Sequence, residues 1–199
     1  MPDGDSRRLV LKVAIAITGA SGGIYARRLL EVLDVEEVLL TMTPDGLDVL
    51  KFEEKVAGTL EKFDPAALKP RSPVRYFHYK DYFAPIASGS NAYEGLVIVP
   101  CSMNTLGKIA GGISDNLVVR AADTMLKERK KLILVTRETP YSLIHIENMA
   151  RVTRAGGTIL PASPGFYHRP ATIQDAVDFV VNKIVRALGL PAVMPDWGK

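Results

Sequence analysis

LVIVPCSMNTLGKIAGGISDNLVVRAADTMLKERKKLILVTRETP, running from Leu96 to Pro140, is the stretch that decides the fold. Leu96 to Val99 is a short apolar run rich in β-branched residues and stopped by a proline, the pattern of a strand buried on both faces of a parallel sheet. Cys101, Ser102, Asn104 and Thr105 then put small side chains and free backbone N–H groups where a helix begins. A helix start that follows a strand suits an anion. A second helical pattern carries Val118, Ala121, Ala122 and Met125 on one face and ends in Lys127, Glu128, Arg129, Lys130 and Lys131. Leu132 to Val135 reads as another fully buried strand, and it delivers Thr136, Arg137, Glu138 and Thr139 to its carboxyl end. In open α/β sheets, ligands bind outside the carboxyl ends of the strands. Two strand ends are therefore expected to converge on one pocket.

The remaining composition sets the frame. A chain of 199 residues with 47% hydrophobic content can bury a sizeable core and reads most simply as one α/β domain over residues 1–199. One cysteine rules out an internal disulfide and favours a reducing, cytoplasmic setting. No apolar run approaches the roughly 18 residues that span a bilayer, and Leu9 to Thr18, interrupted by Lys12, reads as a core strand and not a signal peptide. Twenty-five basic and 22 acidic residues leave a net charge of +3 and a pI near 8.9. That mild excess suits phosphorylated small molecules. No aromatic-interleaved basic stripe, zinc spacing or helix-turn-helix pattern argues for nucleic acid.

Outward towards the amino end, Met1 to Arg8 is polar and expected to be frayed. Leu9 to Thr18 is the expected first strand, broken by Gly19-Ala20-Ser21-Gly22-Gly23-Ile24-Tyr25, after which Ile24, Leu29, Leu30 and Leu33 supply a helical face. Glycines let a backbone approach an anion at a helix start, with the Ser21 hydroxyl as a further donor, so this turn is a candidate phosphate cradle. A tight strand-to-helix turn without a ligand is the alternative. Val38 to Met42 reads as the second strand, and Thr43-Pro44-Asp45-Gly46 opens another helix with Asp45 expected as its cap. Lys51 to Arg71 carries no assignable chemistry. Tyr76 to Phe83, YFHYKDYF, is expected to be a surface excursion with its rings on the core or against a pocket. Ser88-Gly89-Ser90 reads as a hydroxyl-rich turn.

Towards the carboxyl end, Tyr141 to Arg154 reads as a helix ended by Gly156-Gly157, with His145 on or beside its packing face. Thr158 to Leu160 is a short strand, and Phe166 to Pro170 a loop with polar tips. Ile173 to Leu188 closes the domain, with Ile173, Ala176, Val177, Val180 and Ile184 at core spacing and Lys183 beside them. The tail, 191–199, holds Trp197, expected to pack on a neighbour.

Eight segments, GASGGIY, ASGS, PCSMNT, GISDNL, RAAD, LKER, RETP and FYHRP, occur in an order and at a spacing that resembles the flavin prenyltransferases of the UbiX type across about Leu9 to Leu190. That family was once described as aromatic acid, or 3-polyprenyl-4-hydroxybenzoate, decarboxylases. The resemblance implies a Rossmann-like flavoprotein fold, a three-layer sandwich around a mostly parallel sheet. It also implies transfer of a dimethylallyl group from dimethylallyl phosphate to N5 and C6 of reduced FMN, making prenylated FMN for a UbiD-type decarboxylase. By position, Gly19, Ala20, Ser21, Thr43, Ser102, Met103, Asn104, Thr105 and Arg137 are implied to hold FMN, Thr43 standing where the family usually has serine. Tyr167, Lys183, Lys127 and Arg137 are implied to hold the donor phosphate. Lys183 stands where some relatives have arginine, and so keeps the charge without the planar fork. Glu138, Lys127, Ser21 and Tyr82 complete the implied reacting site, with Tyr82 where some relatives carry tryptophan. The family commonly forms large homo-oligomers, up to a dodecamer, with sites shared between subunits.

The chemistry suits that resemblance. Breaking an allylic carbon–oxygen bond generates a cation and releases phosphate, so the site needs cations on the leaving group and π-faces beside the carbocation. Lys127, Arg137 and Lys183 meet the first need, which leaves no requirement for a metal; Tyr82, Tyr167 and the flavin meet the second. Glu138 is the candidate proton carrier. Two rivals are weighed. VAITGASGGI resembles the opening of a short-chain dehydrogenase, and Tyr76 to Lys80 formally gives Tyr-x-x-x-Lys, but Tyr25 stands where a close-approach glycine is expected. An FMN-dependent decarboxylase of the cysteine-decarboxylase group shares the Pro-x-x-Met-Asn turn but depends on an early-helix histidine, and no histidine precedes His78.

Overall fold

In the computed structural model, which describes residues 11–91 and 93–192, the six strands are β1 (Lys12–Ile17), β2 (Glu37–Met42), β3 (Val74–His78), β4 (Gly95–Cys101), β5 (Lys131–Thr136) and β6 (Thr158–Ile159). All run parallel in one sheet, ordered β3-β2-β1-β4-β5-β6. The helices are α1 (Gly23–Val32), α2 (Pro44–Glu54), α3 (Met103–Ala110), α4 (Leu117–Lys127), α5 (Leu143–Arg154) and α6 (Ile173–Leu188). Among the described residues, no helix is long and apolar enough to cross a membrane.

Side-chain alternation along β1 divides the molecule into layers. Val13, Ile15 and Ile17 enter one core with Leu29 and Leu30 of α1, Leu47 and Leu50 of α2, and Val177, Val180 and Ile184 of α6. Ala14 and Ala16 enter the other, with Leu106 of α3, Val118, Ala121 and Met125 of α4, and Val152 of α5. The sheet is thus the middle layer of a three-layer sandwich. Burying one Leu, Ile or Val side chain contributes about 1.5–3 kcal/mol. Ion pairs also join α1 to its neighbours, Arg27–Glu54 and Arg28–Asp178, both at 2.6 Å. Such partly exposed pairs are worth about 0.2–1 kcal/mol, so apolar burial sets the docking and the pairs refine it.

The starts of α2 to α6 are satisfied locally. Thr43, Ser102 and Asn116 cap α2, α3 and α4 through their side chains, and Ser142–His145 and Thr172–Asp175 form reciprocal capping boxes on α5 and α6. Several expectations change accordingly. Thr43, not Asp45, is the α2 cap, and Asp45 lies in the first turn, where its charge favours the helix dipole. His145, half-buried in line with Met149 and Val152 beside the packing face as expected, also serves as a capping partner. Ile173 is 77% exposed because it opens α6 before the helix reaches the sheet.

The aromatic segment also differs. Tyr76, Phe77 and His78 belong to the edge strand β3, paired with Leu40, Thr41 and Met42 of β2. Only Tyr79 to Phe83 forms the surface excursion. The first strand begins at Lys12 among the described residues, and Lys51 to Arg71 contains the end of α2 and a 3-10 turn at Pro65–Leu68. Trp197 and the frayed start expected at 1–8 lie outside the described residues.

Candidate active site

β1 and β4 are adjacent at the centre of the sheet, yet the chain leaves them towards opposite layers, α1 on one side and α3 on the other. Such a reversal opens a crevice at the carboxyl ends of the strands. Thr18, wholly buried at the end of β1, bridges it. Its hydroxyl donates to the Pro100 carbonyl at 2.8 Å and accepts the Ser102 N–H at 2.9 Å. The Gly19–Gly23 and Ser102–Thr105 turns are thereby fixed side by side.

The first of these turns is shaped by α2. A Cβ on Gly19 would collide with the Asp45 side chain, and Gly22 holds a left-handed φ of 117° that favours glycine. Glu53 of α2 reaches the start of α1, where one carboxylate oxygen accepts the Gly22 and Gly23 N–H groups, both at 2.9 Å. Burial pushes the Glu53 carboxyl up, but hydrogen bonds from the Ser21 hydroxyl and those two amides, with the nearby Arg137 charge, outweigh it and hold the group below its ordinary pKa. The expected phosphate cradle is therefore filled by a carboxylate of the chain itself. A helix start satisfies either anion for the same reason, its aligned N–H groups.

Glu53 had one local signal. An acid in the last turn of a helix opposes the macrodipole, and α2 ends with Glu53 and Glu54. Both are held by α1, Glu53 at its amino end and Glu54 through Arg27 at 2.6 Å.

The second turn begins with Ser102, whose Oγ accepts the Thr105 N–H at 3.3 Å and donates to Thr105 Oγ1 at 3.1 Å. Met103 and Thr105 are buried while Asn104 is exposed at the first turn of α3. Thr43 stands at the end of β2, its N–H on the Ile17 carbonyl at 3.0 Å and its hydroxyl accepting the Gly46 N–H at 3.1 Å. From β5, Arg137 Nε donates to the Ser21 carbonyl at 3.2 Å. Glu138 follows, with Oε1 accepting the Thr139 N–H at 3.0 Å. Gly19, Ala20, Ser21, Thr43, Ser102 to Thr105, Arg137 and Glu138 thus share one end of the sheet.

Four expected residues stand apart. The Leu117 N–H at the start of α4 donates to the Tyr79 carbonyl, beyond the carboxyl end of β3, at 2.7 Å. From there α4 descends to the opposite edge, where Lys130 Nζ meets the Asn91 carbonyl at 3.1 Å, ahead of β4. Lys127 therefore lies towards the amino ends of the strands, away from Ser102, paired with Glu128 at 2.7 Å. Tyr82 stands on the turn after β3, half exposed beside a fully exposed Phe83. Tyr167 and Lys183 meet on the outer side of α6, at the Phe179 ring.

The Flavoprotein family matches residues 5–185. A flavin prenyltransferase UbiX from Methanocaldococcus jannaschii is 42% identical over 190 residues, covering 94% of this chain and 99% of that protein. The chain belongs to the UbiX flavin prenyltransferase family. Its fold agrees with a crystal structure of AnUbiX (PadA1) in complex with FMN and dimethylallyl pyrophosphate, at a TM-score of 0.83 and 36% identity over 95% of this chain and 98% of that one. A dodecameric FMN-dependent UbiX-like decarboxylase from Escherichia coli O157:H7 gives a TM-score of 0.81 and 36% identity over 94% and 99% of the two chains.

Within this UbiX-family chain the rival motifs do other work. The Tyr76 hydroxyl donates to the Leu60 carbonyl at 3.0 Å from an edge strand, and burial pushes its pKa up to about 12. A phenol so placed is a structural donor, not half of a dehydrogenase Tyr–Lys pair. His78 accepts the Lys80 N–H, His145 caps α5 and His168 stacks on Phe179. None of the three lies in α1, where the decarboxylase alternative would need its histidine.

Proposed function

We propose that the chain transfers a dimethylallyl group from dimethylallyl phosphate to N5 and C6 of reduced FMN, and that a UbiD-type decarboxylase takes up the prenylated FMN. The observation that carries this reading is the meeting of Arg137 with the Ser21 carbonyl across the switch point, 3.2 Å from Nε to oxygen. It joins a cation from β5 to the glycine turn of β1, beside a second helix start at Ser102.

The donor set suits the acceptor. The start of α3 offers the Met103 and Asn104 N–H groups, and with the Gly19-Ala20-Ser21 turn beside it, the Ser102, Thr105 and Ser21 hydroxyls suit a polar ring and ribityl chain, Thr43 adding another hydroxyl. Arg137 offers a planar fork to a phosphate or carbonyl oxygen. Reduced FMN, when bound, supplies the electron-rich N5 and C6 that accept the prenyl carbons.

The chain's residues then act on the donor. Its carbon–oxygen bond breaks, the electron pair leaves with phosphate, and Arg137, Lys183, Lys127 and the Tyr167 hydroxyl neutralise the charge that collects there. One preorganised donor of this kind is worth about 2.7–4 kcal/mol of barrier. Tyr82 and Tyr167 offer π-faces to the allylic cation. Glu138 carries protons between the phosphate and the acceptor, and Ser21 orients the reacting edge.

The remoteness of Lys127 along α4 favours a site completed by another copy. A homo-oligomer with shared sites, of the dodecameric kind described for the Escherichia coli relative, brings the end of one α4 to the crevice of its neighbour. Anaerobic incubation with reduced FMN and dimethylallyl phosphate or diphosphate, followed by mass spectrometry of the flavin, tests the activity. The expected product is heavier than FMN by one dimethylallyl unit. An unchanged flavin mass with both donors, with reduced FMN bound, overturns it.

A further inference from the structure

We infer that Phe179 is the positioning residue of the donor-phosphate subsite: its ring is the common platform that sets Tyr167 and Lys183 in register. The inference rests on the reading of Tyr167 and Lys183 as phosphate ligands, and adds what holds them there. Phe179 and Lys183 are four residues apart on α6 and so share a face. The Lys183 ammonium lies 5.5 Å from the Phe179 ring centroid, and the Tyr167 ring meets the same ring edge to face, centroids 5.6 Å apart at 80°. A phenyl face attracts both a cation and the positive edge of another ring.

The loop is built around that ring. His168 stacks on Phe179 at 5.4 Å with planes 4° apart, and meets Tyr167 edge-on at 5.7 Å. A Cβ on Gly165 would sit 2.9 Å from Phe179 Cζ and 3.0 Å from Tyr167 Cε1. Only glycine lets the loop close onto the ring so tightly. Both His168 ring nitrogens are buried without a hydrogen-bond partner, so the His168 ring is placed by ring packing. The Asp175 carboxylate, one turn before Phe179, accepts the Ala171 and Thr172 N–H groups at 2.9 Å and anchors the far end of the loop.

Lysine is the reason a platform is needed. An arginine brings its own planar fork to a phosphate, whereas Lys183 presents a point charge on a flexible four-carbon stem. Its direction is set by what the stem and ammonium rest on, and that is Phe179.

Steady-state kinetics of Phe179→Leu, Lys183→Met and the double variant test this. Phe179→Leu should raise the KM for dimethylallyl phosphate about tenfold, more than it lowers kcat, while FMN affinity holds and Tm falls only modestly. In the Lys183→Met background the same change should cost less, because only Tyr167 is left for the ring to set. Phe179→Met, apolar and adaptable, gives a second reading if leucine unfolds the loop. An unchanged KM in Lys183→Met removes the phosphate reading and this inference with it. A raised KM in Lys183→Met with none in Phe179→Leu, or with full additivity in the double variant, overturns the platform alone. So does a Phe179→Leu loss in which Tm and FMN affinity fall together with kcat, since that describes a ring needed only for packing.

Discussion

The Thr18 hydroxyl accepts the Ser102 N–H at 2.9 Å while donating to the Pro100 carbonyl at 2.8 Å, so one buried side chain fastens the β1 turn to the start of α3. Replacing the hydroxyl by a methyl keeps the volume and leaves the Ser102 N–H without its acceptor, while the Pro100 carbonyl keeps the Thr18 N–H at 3.3 Å. A buried polar group without its partner costs about 1–3 kcal/mol. Thr18→Val should lower the free energy of unfolding in urea by that amount and weaken FMN binding, whereas Thr18→Ser should stay near wild type. Equal unfolding midpoints for Val and wild type would remove Thr18 as the clamp.

The carboxylate that fills the start of α1 gives the fold a pH signature. Glu53 titrates below its ordinary value in the folded protein, so the unfolded chain binds its proton more readily. The stabilisation is then complete above the ordinary glutamate pKa of about 4.3 and is lost as pH falls through the lower folded value. Glu53→Gln keeps an acceptor for the Gly22 and Gly23 amides but removes the charge that faces Arg137. Its Tm should lie below wild type at neutral pH and meet it in acid. A gap of the same size at both ends of the scale would mean that the charge contributes nothing.

Two glycines should respond with opposite signs. A Cβ on Gly46 would lie 2.5 Å from the Ile17 carbonyl oxygen and 2.9 Å from its carbon, backbone that cannot swing aside. Gly46→Ala should therefore destabilise by about 1–3 kcal/mol, the usual cost of overpacking, and displace Thr43 from the end of β2. Gly107 lies inside α3, where a Cβ meets only the Asn148 amide at 3.5 Å, an ordinary contact. Gly107→Ala should stabilise by about 0.5–1 kcal/mol through helix propensity. Thermal melts of the two variants moving in the same direction would contradict this account of the packing.

What could be read in advance followed from how local the cause is. β4 and β5 are buried on both faces, so their runs Leu96–Val99 and Leu132–Val135 are uniformly apolar and bounded by proline or charge. Ser102 announces its cap because capping acts over three residues. The edge strand β3 pairs on one side only and carries Arg75 among aromatics, which blurs any alternation. Glu53 binds amides 30 and 31 residues away, and Phe179 looks like any ring on an amphipathic helix until the 165–168 loop folds over it. Lys127 shows the limit most clearly. Its charge at the end of a helix was legible, but the direction of α4, which carries it to the far edge, is a property of topology.

That direction yields the sharpest test of a shared site. If each crevice takes Glu138 from its own chain and Lys127 from a neighbour, Lys127→Met and Glu138→Gln damage complementary halves. Each variant alone should bind FMN and stall turnover, with the loss near the 10²–10³-fold typical of one electrostatic group. Co-assembled in equal amounts, the two chains should restore about a quarter of the sites, because a crevice is whole only when an intact Glu138 chain adjoins an intact Lys127 chain. Mixing after assembly, without exchange of subunits, should restore nothing. Co-assembled oligomers with no recovered turnover would place both residues in the same chain's site, and α4 would then have to rearrange.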